Sequence, residues 1–66
     1  MNTSKKFSRR VREEREGRGL TVNELAKLSN VSLRSVYNVE EGKSPTLDTM
    51  EKLAKGLRVS VLELIK

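Results

Sequence analysis

Cysteine, histidine and tryptophan are all absent from this 66-residue chain. Without cysteine no disulfide braces the fold, and without either cysteine or histidine a zinc site has no ordinary ligands. Carboxylates alone favour weak sites for hard cations, so neither metal nor cofactor is expected. The same absences remove the usual nucleophile–base pairs, and no glycine-rich phosphate loop is present; an enzyme is the poorest reading. Glu13–Glu14 and Glu40–Glu41 are sequence neighbours, whose side chains diverge by about 100° on a helix and cannot easily act as one site. No apolar run approaches the roughly 18 residues of a membrane span, and the first residues lack the apolar region of a signal peptide. The expected setting is cytoplasmic, with no membrane partner and no small-molecule site. A chain this short forms one domain at most and buries only about 60% of its unfolded surface, so stability must come from helix packing and good caps, with self-association as a further source open to it.

What the chain does have is positive charge, with a net +5 and a pI near 10. Residues 1–20 carry seven basic side chains (Lys5, Lys6, Arg9, Arg10, Arg12, Arg15 and Arg18) against three acidic ones, and the other 46 carry seven against six. Such an excess suits a polyanion, either nucleic acid or an anionic surface, and suits a solvated helix face equally well.

The stretch Leu20–Gly42, LTVNELAKLSNVSLRSVYNVEEG, holds two helix-start signals eleven residues apart. Thr21 with Glu24 reads as a capping box, with Leu20 and Leu25 as its hydrophobic staple. Ser32 is a second N-cap, stapled by Val31 and Val36. Between them Asn30 tolerates the left-handed backbone of a sharp turn, and small Ala26 lets the helices close. Leu25, Leu28, Val31, Val36 and Val39 supply apolar contacts. This spacing predicts a helix-turn-helix over residues 21–41, with its second helix over 33–41.

Around it the pattern is all-α. Residues 1–4 read as a flexible lead, with a cap at Thr3 or Ser4, and 5–66 as the domain. A first helix runs from Lys5 to Arg18 and stops at Gly19. Phe7, Val11, Arg15 and Arg18 share its face, so either that face leaves the core early or Arg15 is buried with a partner. Gly42 ends the third helix, and Pro45 enforces the break. Thr46 caps a fourth helix with the stripe Leu47, Met50, Leu53, Ala54 and Leu57. Ser60 with Glu63 boxes a short fifth, stapled by Val59 and Leu64. A compact bundle of five short helices is expected.

The joint order of these pieces resembles the lambda-repressor-like or Cro-type helix-turn-helix domains of the Xre family. The matching residues are Arg15, Gly19-Leu20-Thr21, Glu24-Leu25-Ala26, Val31-Ser32, Val36, Glu40, Gly42, Ser44-Pro45-Thr46, Leu53-Ala54-Lys55, Leu57, Val59-Ser60, Leu62 and Leu64. The resemblance implies a structural ion pair between Arg15 and Glu40. It also implies that the second helix of the motif enters the DNA major groove. Leu33, Arg34 and Asn38 then fall at positions that reach bases. Arg34 fits guanine O6 and N7 or a phosphate, and Asn38 fits adenine or a phosphate. Leu33 suits a thymine methyl, the core or a partner. Thr21, Ser32, Ser35, Tyr37, Lys43, Ser44 and Thr46 are the backbone candidates, although the Tyr37 ring could equally cover the edge of the core. The basic residues of helix one are expected to be mostly solvated.

Three departures from the family pattern stand out. Val22 replaces a common glutamine that contacts phosphate, Glu41 puts a carboxylate near the DNA backbone, and Arg58 replaces a glycine before the last helix. The leading expectation is a sequence-specific regulator of transcription, a repressor above all, bound to an inverted-repeat operator as a homodimer that is weak for the isolated domain. Val61, Leu62 and Ile65 are the candidate dimer surface, with Leu62 leaning more toward the monomer's own core than the other two. The alternative is a protein-interaction module of the same fold, antitoxin-like, anti-repressor-like or part of a larger regulator, with structured RNA as a weaker variant.

Overall fold

Five α-helices account for the secondary structure of residues 3–66, the part of the chain described by this computed structural model: α1 (Thr3–Gly17), α2 (Val22–Ser29), α3 (Leu33–Glu40), α4 (Leu47–Leu57) and α5 (Val61–Ile65). Helix α1 begins two residues before the expected Lys5, so Thr3 and Ser4 are helical rather than part of a lead or a cap; Met1 and Asn2 lie outside the described residues. Helix α3 ends at Glu40, with Glu41 as its cap, one residue short of the expected 33–41.

Three of the four connections use one short device. Gly19, Asn30 and Arg58 each adopt a left-handed backbone, with φ of 68°, 56° and 60°. Each is followed by an apolar residue whose N–H reaches back five residues: Leu20 to the Arg15 carbonyl, Val31 to Ala26 and Val59 to Ala54. That is a Schellman close, which satisfies carbonyls left over at the helix end. The next residue in each case, Thr21, Ser32 or Ser60, caps the following helix with its hydroxyl. One apolar residue thus serves both as the end of one helix and as the staple of the next, which keeps the turns tight. The fourth connection closes on Gly42 in the same way but runs on through Ser44 and Pro45 to the Thr46 cap.

The capping boxes form as read. The Thr21 N–H donates to Glu24 Oε1 at 2.8 Å and the Glu24 N–H to Thr21 Oγ1 at 3.0 Å. These bonds to Thr21, with smaller help from Lys27, hold the Glu24 carboxyl below its ordinary range. Ser60 and Glu63 repeat the box at α5.

Phe7, Val11, Leu25, Val36, Leu53 and Leu57 form the centre of the core, fully shielded from solvent, and Leu64 of α5 closes it. Each such side chain contributes about 1.5–3 kcal/mol relative to exposure. Helices α2 and α4 approach closely at Ser29 and Gly56: a Cβ built on Gly56 would lie 2.1 Å from Ser29 Oγ and 3.0 Å from its Cα.

Three leucines expected in or leaning toward the core are exposed: Leu28 (59%), Leu47 (64%) and Leu62 (60%). On α2 the buried arc is Leu25, Ala26 and Ser29, and Leu28 lies roughly a third of a turn from its centre. Burial deepens along α4 from Leu47 through half-buried Met50 to Leu53. On α5 the inward side chain is Leu64, which puts Leu62, about 200° round the helix, outside.

Candidate nucleic-acid interface

The short α3 presents two faces. Val36 and Val39 are buried in the core, while Leu33, Arg34 and Tyr37 are exposed and Asn38 is half-buried. Leu33 with Tyr37, and Arg34 with Asn38, are i, i+4 pairs, so they stand as two outward rows on one side of the helix. Leu33 retains 42% and Tyr37 46% of their full exposure, so each leaves nearly half of its surface open to solvent. Ser32 starts the helix: its Oγ accepts the Ser35 N–H at 3.0 Å and lies 2.8 Å from Ser35 Oγ.

The far end of α3 is fixed from α1. Arg15 Nε donates to Glu40 Oε2 at 2.7 Å and Arg15 Nη2 to Glu40 Oε1 at 3.1 Å, a bidentate pair. Its remaining nitrogen, Nη1, donates to the Leu20 carbonyl at 2.8 Å. One guanidinium therefore joins α1, the start of α2 and the end of α3. The Glu40 bond is the main reason the Arg15 guanidinium is held even more firmly protonated than usual; burial opposes this. The side chains are 13% and 5% exposed, so removing Glu40 alone would strand a charge at a cost of about 3–5 kcal/mol. This resolves the uneven face of helix one in favour of a buried, partnered Arg15; Arg18 instead pairs with Glu14 at the surface.

Two further contacts to Glu40 were not legible in the sequence. Ser8 Oγ donates to the Glu40 carbonyl at 3.0 Å, and Arg12 reaches both that carbonyl (Nη2, 3.2 Å) and the carboxylate (Nε, 3.4 Å). Ser8 lies one residue after Phe7 on the buried face, so helical spacing could have flagged its burial but not its partner.

Beside α3 lies a polar concavity of about 170 Å³ lined by Ser35, Asn38, Lys43, Ser44, Thr46 and Thr49, with Val39 and Pro45 behind them. Thr46 Oγ1 accepts the Thr49 N–H at 3.1 Å and also bonds the Thr49 hydroxyl. Lys43 Nζ lies 3.4 Å from Asn38 Oδ1 and 3.9 Å from a Glu41 carboxylate oxygen. Four of the seven backbone candidates, Ser35, Lys43, Ser44 and Thr46, thus line this concavity, and a fifth, Ser32, caps the start of α3. Thr21 is exposed at the start of α2, and Tyr37 projects from α3 itself. Thr49 joins this group only through the fold. Val61 and Ile65 are half-buried against the core, apart from α3, and Leu62 faces outward. No described helix is long and apolar enough to cross a membrane, and no described group of His, Cys, Asp or Glu could hold a metal ion.

The HTH_3 helix-turn-helix family model matches residues 11–64. Over 46 residues, 70% of this chain, the sequence is 48% identical to an HTH-type transcriptional regulatory protein of Archaeoglobus fulgidus. It is 42% identical over 55 residues, 80% of the chain, to the HTH-type transcriptional repressor RghR of Bacillus subtilis. The aligned region spans only 15% and 41% of those two proteins. Among solved structures, the restriction-modification controller protein C.AhdI of Aeromonas hydrophila superposes with a TM-score of 0.85 at 37% identity, covering 92% of this chain and 94% of that one. A Y37F mutant of the controller C.Esp1396I gives 0.86 at 26% identity, covering 97% and 82%. The chain belongs to the helix-turn-helix family in its lambda-repressor-like, Xre branch, a family of DNA-binding transcriptional regulators.

Proposed function

We propose that this domain reads a short sequence in the major groove of duplex DNA and regulates transcription, in the first instance as a repressor, by occupying an inverted-repeat operator as a dimer. The observation that carries this reading is the outward face of α3, with Leu33, Arg34, Tyr37 and Asn38 presented together beside a hydroxyl-lined concavity. Arg34 is exposed, and no described acidic side chain forms an ion pair with it, so its fork is available to guanine O6 and N7. Asn38 reads the neighbouring base, and Leu33 packs on a thymine methyl. Thr21, Ser32, Ser35, Tyr37, Lys43, Ser44 and Thr46 hold phosphates and set the docking register. Glu41 sits beside Lys43 and opposes that contact, which tempers affinity. The mechanism is occupancy, without chemistry on the DNA, in the cytoplasm.

A protein-interaction role draws on different observations, the exposed Leu28 and Leu33. One experiment separates the two. Bound sequences are selected from a randomised duplex pool near physiological salt, with Arg34→Ala alongside. An inverted repeat is expected, and Arg34→Ala should lose about 1–3 kcal/mol of discrimination at one base pair per half-site. Binding that is absent or indifferent to sequence overturns the regulator reading and favours a protein partner.

A further inference from the structure

Helix α1 meets the segment after α3 across a cleft of about 300 Å³ lined by Lys5, Ser8, Arg9 and Arg12 on one side and Glu40, Glu41 and Gly42 on the other. Ser4 Oγ lies 2.9 Å from Ser44 Oγ, so the first turn of α1 is seated on the loop that carries Lys43 and Ser44. Of the two acidic groups here, Glu40 is fully engaged, whereas Glu41 is exposed, with Lys43 its one ion-pair partner among the described residues, at 3.9 Å. The Glu40 carboxylate is engaged by Arg15 and Arg12, and its carbonyl by Ser8 and Arg12. Lys5 and Arg9 form no ion pair with any described residue. They are exposed, one helical turn apart on the same face, where like charges repel.

Two cations without an ion-pair partner at this spacing, next to the loop whose Lys43 and Ser44 are assigned to phosphate in the reading above, form a ready seat for another phosphate. We propose that Lys5 and Arg9 grip the DNA backbone, continuing the run of phosphate contacts from Lys43 and Ser44 onto α1, so that helix one is part of the DNA-binding surface. This rests on the duplex-DNA reading above. The contact carries no base information; it adds affinity and salt dependence.

The test measures binding to the selected duplex as a function of salt. The double variant Lys5→Gln/Arg9→Gln is compared with a charge-matched control, Lys55→Gln/Lys66→Gln. Each lost phosphate contact lowers the slope of log affinity against log salt by roughly 0.9, so the α1 variant should lose roughly 1.8 while the control keeps nearly the parental slope. Base preference should be unchanged in both. The charge-preserving pair Lys5→Arg/Arg9→Lys should retain the slope, which separates lost contact from lost fold. Equal losses in the α1 variant and the control would show only long-range attraction and overturn the proposal, as would an unchanged slope. Parental protein that binds duplex with an Arg34-dependent preference but ignores Lys5 and Arg9 sinks this inference alone. Failure of the parental protein to bind duplex sinks both.

Discussion

Arg58 carries a local conflict that its neighbours override. Its φ of 60° puts an L-residue in the left-handed region, yet the tight α4–α5 turn requires that geometry, because Val59 must reach the Ala54 carbonyl. The conformation costs roughly 1–2 kcal/mol for a residue with a Cβ, and glycine escapes it while losing more chain entropy on folding. Arg58 is exposed and makes no described ion pair, so little is lost with its side chain. Arg58→Gly is therefore expected to raise the urea midpoint, by about 0.5–1 kcal/mol in stability. A fall in the midpoint would mean that the side chain has a role the cap argument misses. The same exchange at Asn30 should gain less, since asparagine tolerates this backbone. Arg15 shows the opposite case at the residue scale: sequence pattern marked it as out of place, and Glu40, 25 positions away, explains it.

At the scale of elements, the helices are set by their ends. Each of α2, α3, α4 and α5 starts on a hydroxyl cap, and these four positions were readable because capping is local, involving residues three apart. How the helices meet is not local. Gly56 looks unfavourable inside α4, where alanine is intrinsically better by about 1 kcal/mol. The contact with α2 reverses that preference, since a Cβ there would lie 2.1 Å from Ser29 Oγ and 3.0 Å from the Ser29 backbone. Gly56→Ala should thus destabilise the fold by about 1–3 kcal/mol despite its helix propensity. Adding Ser29→Ala should recover only part of this, because the Ser29 Cα and Cβ still crowd the new methyl group. Ser29 Oγ itself is sealed without a hydrogen-bond partner among the described residues, so Ser29→Ala alone should cost little. Chemical denaturation of the three variants decides it, and a Gly56→Ala protein as stable as the parent would show that the two helices are free to move apart.

At the scale of the whole molecule, a body of 29 × 20 × 18 Å has room, on the reading proposed above, to present α3 to one half-site. A single module of this kind buries about 600–1,000 Å² on DNA, so a second copy is the route to a longer readout. Leu62 is the place to test that route. It is 60% exposed, whereas Val61 and Ile65 also pack on the core and would confound stability with assembly. Leu62→Glu should leave the monomer's denaturation midpoint nearly unchanged. Affinity for a complete inverted repeat should fall on the order of 10²-fold while binding to an isolated half-site persists. Unchanged affinity for the full repeat would overturn the proposal that α5 forms a dimer surface.

The sequence alone determined the helix count, the caps of α2 to α5, the left-handed residues Asn30 and Gly19, and the family, because these depend on residues within a few positions of one another. It also marked Arg34 and Asn38 for the outer face of α3, through the apolar partners Val36 and Val39 that fix the inner one. Only the tertiary structure decided which leucines leave the core: Leu28 and Leu47 satisfy helical spacing but stay exposed, and Leu62 is turned away once Leu64 is the inward residue of α5. It likewise brought Ser8 and Arg12 to Glu40, Ser4 to Ser44 and Gly56 to Ser29. Those contacts join residues 27 to 40 positions apart in sequence, and local propensity carries no information about which distant surfaces packing will bring together.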